Sequence, residues 1–357
     1  MNQIRISFAP YFTDANPYQV KLLKALHELD VLAGGISFNV VFLPVGIETK
    51  KVNLVHLHWL HKYSHAYNKP KSILRVIKFI CGLIVLKISK VKIVWTAHNI
   101  KDHESVFPLA DRICNEAVAT LADAIIAHSE AAKREISEHF IQINQEKVFV
   151  IPHGNYLSSY ENTLNQEAAR RRLNLPQSAF VFLFFGLIRP YKGILELVQA
   201  FKELNCEDAY LLIAGSSKDD ALTQQIGEEA ENNSRIQFHP GFVPDEKIQV
   251  YMNAANAVVL PYRNFLTSGA LVLSMSFGRT CIAPRVGCIQ ETLNDDIAFL
   301  YDPNNDDGLL QAMSRALDQR HDCEAMGQAN LAIAKEYSWD KVAEMTLDVY
   351  QHCLNDR

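Results

Sequence analysis

The sequence predicts an α/β protein built from two doubly wound parallel-sheet domains. Its 357 residues exceed the usual size of a single domain. Hydrophobic residues make up 48% of the chain and charged residues 21%, which is typical of an ordered globular protein. Short apolar runs alternate with segments of helical period up to about residue 155, and the same alternation restarts after residue 178. Two βα-repeating domains are therefore expected.

Each strand is predicted from a short run of β-branched or apolar residues. In the first part of the chain the runs are IRISFAP, FNVVFLPV (38–45), LVHLHWL, KIVWTAH, AIIAHS and VFVIPHG. In the second part they are AFVFLFFG, AYLLIAGS, IQFHPGF, NAVVLPY and TCIAPRVG. Because doubly wound domains bind ligands at the carboxyl ends of their strands, the loops after these runs are the candidate sites.

Three segments follow from this pattern. Residues 1–160 are predicted to form a first Rossmann-like domain, and residues 161–336 a second one. Residues 337–357 carry Trp339, Val342, Met345 and Val349 at helical spacing, which predicts a closing helix. We also expect this helix to pack back on the first domain.

Charge is distributed unevenly along the chain. The net charge is −5, yet the stretch between Glu48 and Asp102 has no acidic residue and eleven Lys and Arg. A basic and partly apolar patch suggests peripheral contact with an anionic membrane through residues 69–92, and does not suggest nucleic-acid binding. The alternative is a buried crossover helix with lysines at its ends.

The seven cysteines are odd in number and scattered, which fits a cytoplasmic protein without a zinc site.

The stretch FFGLIRPYKG places two cations where a strand runs into a helix. Gly186 ends the apolar run, and the helical pattern begins after Gly193. Arg189 and Lys192 therefore precede a helix N-terminus, where free backbone N–H groups and the helix dipole favour an anion. A solvated turn with surface cations is the alternative.

A second helix start lies in NFLTSGALVLSMSFG. Thr267 or Ser268 is the expected cap, and Gly269 would let a ligand approach the backbone closely. A plain capped core helix explains the same residues.

Polar residues cluster after the fourth predicted strand and after the first. His98, Asp102 and Glu104 follow the run KIVWT, where His98 could polarise a hydroxyl group and either carboxylate could act as a base. Asp14 is the acidic residue of the loop after the first strand. Helix caps and turn residues are the alternative for all of them.

The four histidines of HLHWLHKYSH lack Cys or acidic neighbours, so a metal site is not expected there.

Taken in order, these segments resemble the glycosyltransferase family 4 (group 1) enzymes of the GT-B fold, especially bacterial polysaccharide glycosyltransferases. The resemblance is carried by AIIAHSEAAKREI, KVFVIPHGN, FFGLIRPYKGILELVQAF, LLIAGSS, IQFHPGFVPDEKIQVYMNAANAVVLPYR and CIAPRVGCIQET, and covers nearly the full length. It implies two Rossmann-like domains that face a central cleft.

The resemblance also implies roles for individual residues. Arg189 and Lys192 match the cations that contact the donor diphosphate, and Glu291 matches an acidic residue of the donor site. Thr267 to Gly269 would lie against phosphate or sugar, and Val243 near the base. His98 matches a histidine that faces the transferred sugar. Retaining members usually carry two glutamates eight positions apart, where this chain has Phe265 and Leu273. The stereochemical outcome therefore stays open; for inversion, Asp14, Asp102 and Glu104 are the candidate bases.

The implied function is transfer of a hexose from a UDP- or GDP-sugar to a saccharide acceptor, lipid-linked, in surface polysaccharide biosynthesis, with no metal required. The protein would be cytoplasmic and in peripheral contact with the inner face of the membrane. Two alternatives remain: a nucleotide-sugar 2-epimerase on the same fold, and a non-catalytic sugar-binding relative.

Overall fold

A computed structural model describes residues 4–11, 17–35, 52–64, 68–100, 107–263 and 266–355. The chain divides into two compact units. Unit 1 comprises Met1–Gly154 and Ser338–Arg357, and unit 2 comprises Asn155–Tyr337.

Unit 1 is built on a six-stranded parallel sheet. Its strands are β1 (Arg5–Ala9), β2 (Leu32–Gly35), β3 (Leu54–Leu57), β4 (Lys92–Thr96), β5 (Ala124–Ala127) and β6 (Val148–Val150). They lie in the order β2-β1-β3-β4-β5-β6. Residues of β3 and β5 are buried on both faces, as expected for strands covered by helices on either side.

The helices of this part of the chain connect the strands. They are α1 (Tyr18–Glu28), α2 (His61–Ser64), α3 (Lys69–Ile88), α4 (Pro108–Leu121) and α5 (Glu130–His139). Asn68 begins α3 because its side-chain oxygen accepts a hydrogen bond from the Lys71 amide at 3.1 Å. Ser129 begins α5 in the same way, by accepting from the Ala132 amide at 3.0 Å.

Unit 2 repeats the architecture with a second six-stranded parallel sheet. Its strands are β7 (Phe180–Phe185), β8 (Ala209–Gly215), β9 (Ile236–Pro240), β10 (Ala257–Val259), β11 (Thr280–Pro284) and β12 (Ala298–Tyr301). Its helices are α6 (Gln166–Arg172), α7 (Ile194–Glu203), α8 (Asp220–Glu231), α9 (Asp245–Ala254), α10 (Gly269–Ser276), α11 (Gly287–Thr292), α12 (Gly308–Asp318) and α13 (Cys323–Glu336).

The strand order of unit 2, β12-β11-β10-β7-β8-β9, reverses between β7 and β10. The chain proceeds from β7 to β8 and β9 on one side, and from β10 to β11 and β12 on the other. Such a reversal leaves a crevice outside the carboxyl ends of the two central strands, which is where open α/β sheets bind ligands. The strand order therefore makes the loops after β7 and β10 the candidate ligand-binding loops of unit 2.

The chain closes with α14 (Trp339–Asn355), which belongs to unit 1. Its buried residues include Val342, Ala343 and Tyr350, and it packs against α1. Trp339 at its start lies 5.2 Å from Tyr18, measured between ring centroids.

The predicted α/β fold with two doubly wound domains is confirmed. Two described strands were not predicted: β2, which contains two glycines, and β12, which is four residues long. The predicted strand at 38–45 lies outside the described residues.

Candidate functional site

The loop between β7 and α7 begins at the centre of the unit 2 sheet. All six residues of β7 are buried, and Gly186 follows directly with a φ of 122°. Pro190 starts a single 3₁₀ turn that ends at Lys192, and Arg189 before it is extended, because a residue that precedes proline is held out of the helical region. The predicted loop at a strand's carboxyl end is therefore present.

Gly193 joins this loop to α7 at a position that only glycine fills without strain. Its φ is 67°, and a Cβ atom there would lie 2.1 Å from the carbonyl oxygen of Pro261. Pro261 belongs to the loop after β10, so this glycine allows the two central loops to touch. The free N–H groups of the first turn of α7 follow immediately.

Arg189 is 6% exposed, so its guanidinium is largely enclosed by the protein. Its Nη1 donates a hydrogen bond of 2.8 Å to the carbonyl oxygen of Ile188 and a longer one of 3.5 Å to that of Ser216. Ser216 follows β8, the neighbour of β7. These backbone contacts fix the side chain at the start of the 3₁₀ turn.

Lys192 is the last residue of the same turn. Its Nζ is 5.3 Å from the centre of the Tyr262 ring in the loop after β10. Burial, reinforced by the charge of Arg189, lowers the pKa of Lys192 to about 8. Burial opposes the positive charge of Lys192, and a bound anion would stabilise it.

The loop after β10 leads into α10. Ser268, rather than Thr267, caps this helix, since its Oγ accepts a hydrogen bond from the Leu271 amide at 3.1 Å. Thr267 is half-buried, and Gly269 is the first helical residue. The structure therefore brings Thr267, Ser268 and Gly269 to the strand adjacent to the one that carries Arg189 and Lys192.

Two predicted donor-site residues lie further out. Val243 is half-buried in the loop after β9, two strands from β7, and next to Phe242, which is 72% exposed. Glu291 is exposed on α11, which follows β11.

Unit 1 carries a different kind of site at the carboxyl ends of its strands. One histidine follows each of four neighbouring strands: His58 after β3, His98 after β4, His128 after β5 and His153 after β6. All four are buried. The ring of Tyr18 lies 4.9 to 5.8 Å from each of them, measured between centroids. We call these four residues, with His56 of β3, the histidine cluster.

Hydrogen bonds and stacking hold the cluster in place. His58 Nδ1 and His98 Nε2 are 3.1 Å apart, and Trp59 stacks on His98 at 4.3 Å between ring centres. His56 Nε2 is 2.7 Å from the Thr96 hydroxyl, and His56 Nδ1 is 2.6 Å from that of Tyr350 on α14.

Burial makes these histidines neutral near pH 7. It lowers the pKa of His56 and His153 to about 3 and that of His128 to about 4. Burial, with the neighbouring imidazoles, also holds the pKa of His58 and His98 well below 6.5. A neutral imidazole offers one donor and one acceptor and no charge. The cluster is therefore suited to hydroxyl groups rather than to phosphates.

Several predicted residues cannot be compared with the structure. Asp14, Asp102, Glu104 and Phe265 lie outside the described residues. Leu273, where a glutamate would be expected in retaining enzymes, is 7% exposed inside α10.

Sequence reasoning predicted a role for His98, considered His56 and His58 only with His61 and His65 as a metal site that it did not expect, and missed His128 and His153. The missing signal was the recurrence of histidine directly after a predicted strand, in AIIAHS and VFVIPHG as well as in LVHLHWL and KIVWTAH. In the part of the chain that the structure describes, no group of three His, Cys, Asp or Glu side chains is arranged to hold a metal ion.

Comparison with known proteins agrees with the geometry. The family profile described as Glycosyl transferases group 1 matches residues 165–332. The lipopolysaccharide 1,2-N-acetylglucosaminetransferase of Salmonella typhimurium is 28% identical over 55% of this chain and 54% of its own length. The D-inositol 3-phosphate glycosyltransferase of Streptomyces griseus is 26% identical over 66% of this chain and 52% of its own. The matched stretch thus spans about half the length of these two relatives.

A third relative matches along most of both chains. The GDP-mannose:glycolipid 4-beta-D-mannosyltransferase of Xanthomonas campestris is 24% identical over 96% of this chain and 89% of its own length. Among solved structures, Anabaena HepE in complex with UDP and glucose superposes with a TM-score of 0.75 at 15% identity, covering 98% of this chain and all of that one. Sucrose-phosphate synthase from Thermosynechococcus elongatus gives the same score at 19% identity, covering 98% of this chain and 99% of that one. Residues 165–332 are thus similar to the group 1 glycosyl transferases, and the whole chain has the two-domain GT-B fold.

Proposed function

We propose that the protein transfers a hexose from a UDP- or GDP-sugar to a saccharide acceptor, lipid-linked, in surface polysaccharide assembly. The observation that carries the proposal is the pair of enclosed cations, Arg189 and Lys192, before the first turn of α7 at the reversal point of the unit 2 sheet. Named relatives that use or bind nucleotides support the choice of donor: one is named for GDP-mannose, and HepE was solved with UDP.

The leaving group is the nucleoside diphosphate, whose charge grows as the bond to the sugar breaks. Arg189 and Lys192 donate hydrogen bonds to its phosphate oxygens, and the free N–H groups of α7 point toward the same charge. Fixed positive charge in a partly enclosed site stabilises such a transition state without reorganisation of solvent. These groups supply the charge that a divalent ion supplies in other enzymes, so we propose transfer without a metal.

The loop after β10 completes the donor side of the proposal. In this proposal Thr267, the Ser268 hydroxyl and the Gly269 backbone, at the start of α10, contact phosphate or sugar. Gly186 leaves space beside the Lys192 ammonium, since a Cβ there would lie 3.9 Å from Nζ. Val243 contacts the base and Glu291 the sugar in this proposal.

The histidine cluster serves the saccharide side. His98 orients a sugar hydroxyl through its imidazole, which stays neutral and therefore does not repel the positive charge that develops at a sugar carbon during transfer. Asp14, Asp102 and Glu104 remain the candidate bases for deprotonating the acceptor.

The acceptor places the protein on the cytoplasmic face of a membrane as a peripheral protein. Support comes from the name of the Xanthomonas relative, which acts on a glycolipid, and from the exposed apolar residues of α3. Among the described residues, none of the helices combines the length and the apolarity needed to cross a bilayer.

Product analysis tests the proposal. The protein is incubated with each of UDP-glucose, UDP-N-acetylglucosamine and GDP-mannose, with and without a membrane extract that supplies lipid-linked acceptors, with EDTA present throughout. We expect release of UDP or GDP that depends on the extract, with label transferred to a lipid fraction. An epimerised nucleotide-sugar formed without acceptor would support the epimerase instead, and binding without turnover would support a non-catalytic relative.

A further inference from the structure

The exposed faces of α3 and α4 carry most of the large apolar side chains on the described surface. Eight of the fifteen exposed large hydrophobic residues lie on these two helices. They are Ile73, Leu74, Ile77, Ile84, Val85 and Ile88 on α3, and Leu109 and Ile113 on α4. Scattered exposed apolar residues are ordinary, whereas a contiguous group marks an interaction surface. We call these eight residues the apolar face.

Helix α3 has two apolar sides. One side is buried in unit 1 through Val76, Phe79 and Leu83. At about 3.6 residues per turn, Ile73, Ile77, Ile84 and Ile88 fall on one stripe that points away from the buried side. A crossover helix needs only the first side, so the buried-helix alternative accounts for half of this sequence pattern and leaves the exposed stripe unexplained.

A groove runs between the two helices along this face. Its volume is about 570 Å³, and its walls are almost entirely apolar. The walls are formed by Ile73, Ile77 and Ile80 of α3 and by Phe107, Leu109 and Ile113 at the start of α4. The groove has room for an extended hydrocarbon segment, since small-molecule sites are typically of about this volume.

Lysines border the apolar stripe on both sides. Around the helix axis, Lys69 lies about one fifth of a turn from the middle of the stripe on one side. Lys71 and Lys78 lie about one third of a turn from it on the other side. None of these three is ion-paired with a described residue, whereas Lys87 is paired with Asp123 at 2.9 Å. Helix α3 contains no acidic residue at all. Lysines that flank an apolar stripe can extend their stems along it and place their charges beside lipid phosphates.

We propose that the apolar face and its bordering lysines bind the surface of an anionic bilayer, with α3 in the plane of the interface and one phospholipid acyl chain in the groove between α3 and α4. The proposal deepens the proposed function, on whose membrane location it rests. It names the docking surface and the lipid charge that recruits it. A second copy of the chain is the weaker occupant, because a two-fold contact through this face would bring the same lysines opposite each other.

Vesicle sedimentation tests the proposal. The full chain is mixed with vesicles of phosphatidylcholine alone or with added phosphatidylglycerol, at low and high salt. We expect binding that requires phosphatidylglycerol and decreases with salt. Lys71→Gln with Lys78→Gln should weaken partitioning about 30-fold. The matched control, Lys335→Gln with Lys341→Gln, changes the net charge equally at exposed positions elsewhere and should have no effect.

The apolar contribution is tested with charges placed in the face. Ile77→Glu with Leu109→Glu should abolish vesicle binding, and both positions are more than half exposed, at 52% and 70%, so folding should persist. Ile141→Glu is the control, because Ile141 is 83% exposed but lies after α5. The proposal is overturned if wild type ignores phosphatidylglycerol, if the controls lose binding equally, or if light scattering shows a dimer that Ile77→Glu dissociates.

The stabilisation of each variant by UDP and GDP is measured in parallel without vesicles. Nucleotide stabilisation without vesicle binding would overturn the docking surface and leave the donor site intact. Vesicle binding without nucleotide stabilisation would overturn the donor site and leave the docking surface intact.

Discussion

Lys192 is the residue whose ionisation matters most to the proposed donor site. Burial and the charge of Arg189 lower its pKa to about 8, so a substantial fraction of the side chain is neutral in mildly alkaline solution. A diphosphate binds the charged form and would raise the pKa again. Nucleotide affinity and the protonation of this one side chain are therefore linked.

The linkage predicts a pH dependence. Nucleotide affinity should be constant below the pKa of Lys192 and should fall above it, by at most about tenfold per pH unit, since the empty site must first bind a proton. Calorimetric titration of UDP and GDP between about pH 7 and about pH 9.5 measures it. Lys192→Met should bind weakly at every pH and lose this dependence. A wild-type affinity that stays flat to the alkaline limit would contradict the assignment.

At the scale of single elements, the junction of the β7 loop with α7 depends on backbone geometry more than on side chains. Gly193 has a φ of 67° and lies against Pro261 of the neighbouring loop. Both features position the first turn of α7 beside the loop after β10. A side chain at this position would separate the two loops.

We therefore expect Gly193→Ala to destabilise unit 2 by about 1 to 3 kcal/mol and to weaken nucleotide binding. Gly227→Ala is the matched control, because Gly227 lies inside α8 with nothing within 4 Å of its added Cβ. That change should be neutral or stabilise by up to about 1 kcal/mol. Urea unfolding measures the change in the free energy of unfolding for both variants. Equal changes would mean that the close approach of Gly193 to Pro261 is unimportant.

Most strands of unit 2 were predictable because each is a largely buried apolar run that leads into a loop with distinctive residues, whereas the four-residue β12 was missed. Local patterns alone placed Arg189 and Lys192 between a strand end and a helix start, and narrowed the cap of α10 to Thr267 or Ser268. The contacts of Lys192 with Tyr262 and of Gly193 with Pro261 could not, because they join loops some 70 residues apart in sequence and depend on strand order. His128 and His153 were missed although each follows a predicted strand, because the five histidines become a cluster only when the sheet aligns their strands.

At the scale of the whole molecule, the two units respond to acid differently. Unit 1 buries the histidine cluster in its neutral form, with pKa values of about 3 for His56 and His153 and about 4 for His128. Unfolding releases these groups to their ordinary value of 6.5, so below that pH the unfolded state binds more protons than the folded one. This contribution to stability is fully present above pH 6.5 and is lost as the pH falls toward the folded-state values.

We expect unit 1 to lose stability first on acidification, by up to about 1.4 kcal/mol per pH unit for each such histidine below pH 6.5. Hydrogen exchange followed by mass spectrometry compares peptides of β4 and β5 with those of β7 and β8. His128→Gln should reduce the pH slope of unit 1 by about one proton, whereas His321→Gln, at an exposed position of unit 2, should not. Equal protection of unit 1 peptides at pH 5 and pH 7 would contradict the account.

The central claim is that Arg189 and Lys192 hold the diphosphate of a nucleotide-sugar, and calorimetric titration of UDP and GDP into paired double variants tests it most directly. Arg189→Gln with Lys192→Gln removes both cations of the loop. Arg171→Gln with Lys202→Gln removes one Arg and one Lys from α6 and α7 at surface ion pairs. We predict that the first pair weakens the preferred nucleotide at least about 100-fold, since each charge-assisted hydrogen bond is worth about 1.5 to 3 kcal/mol, and that the second pair leaves affinity unchanged. Undiminished affinity in the first pair, with both proteins folded, would contradict it.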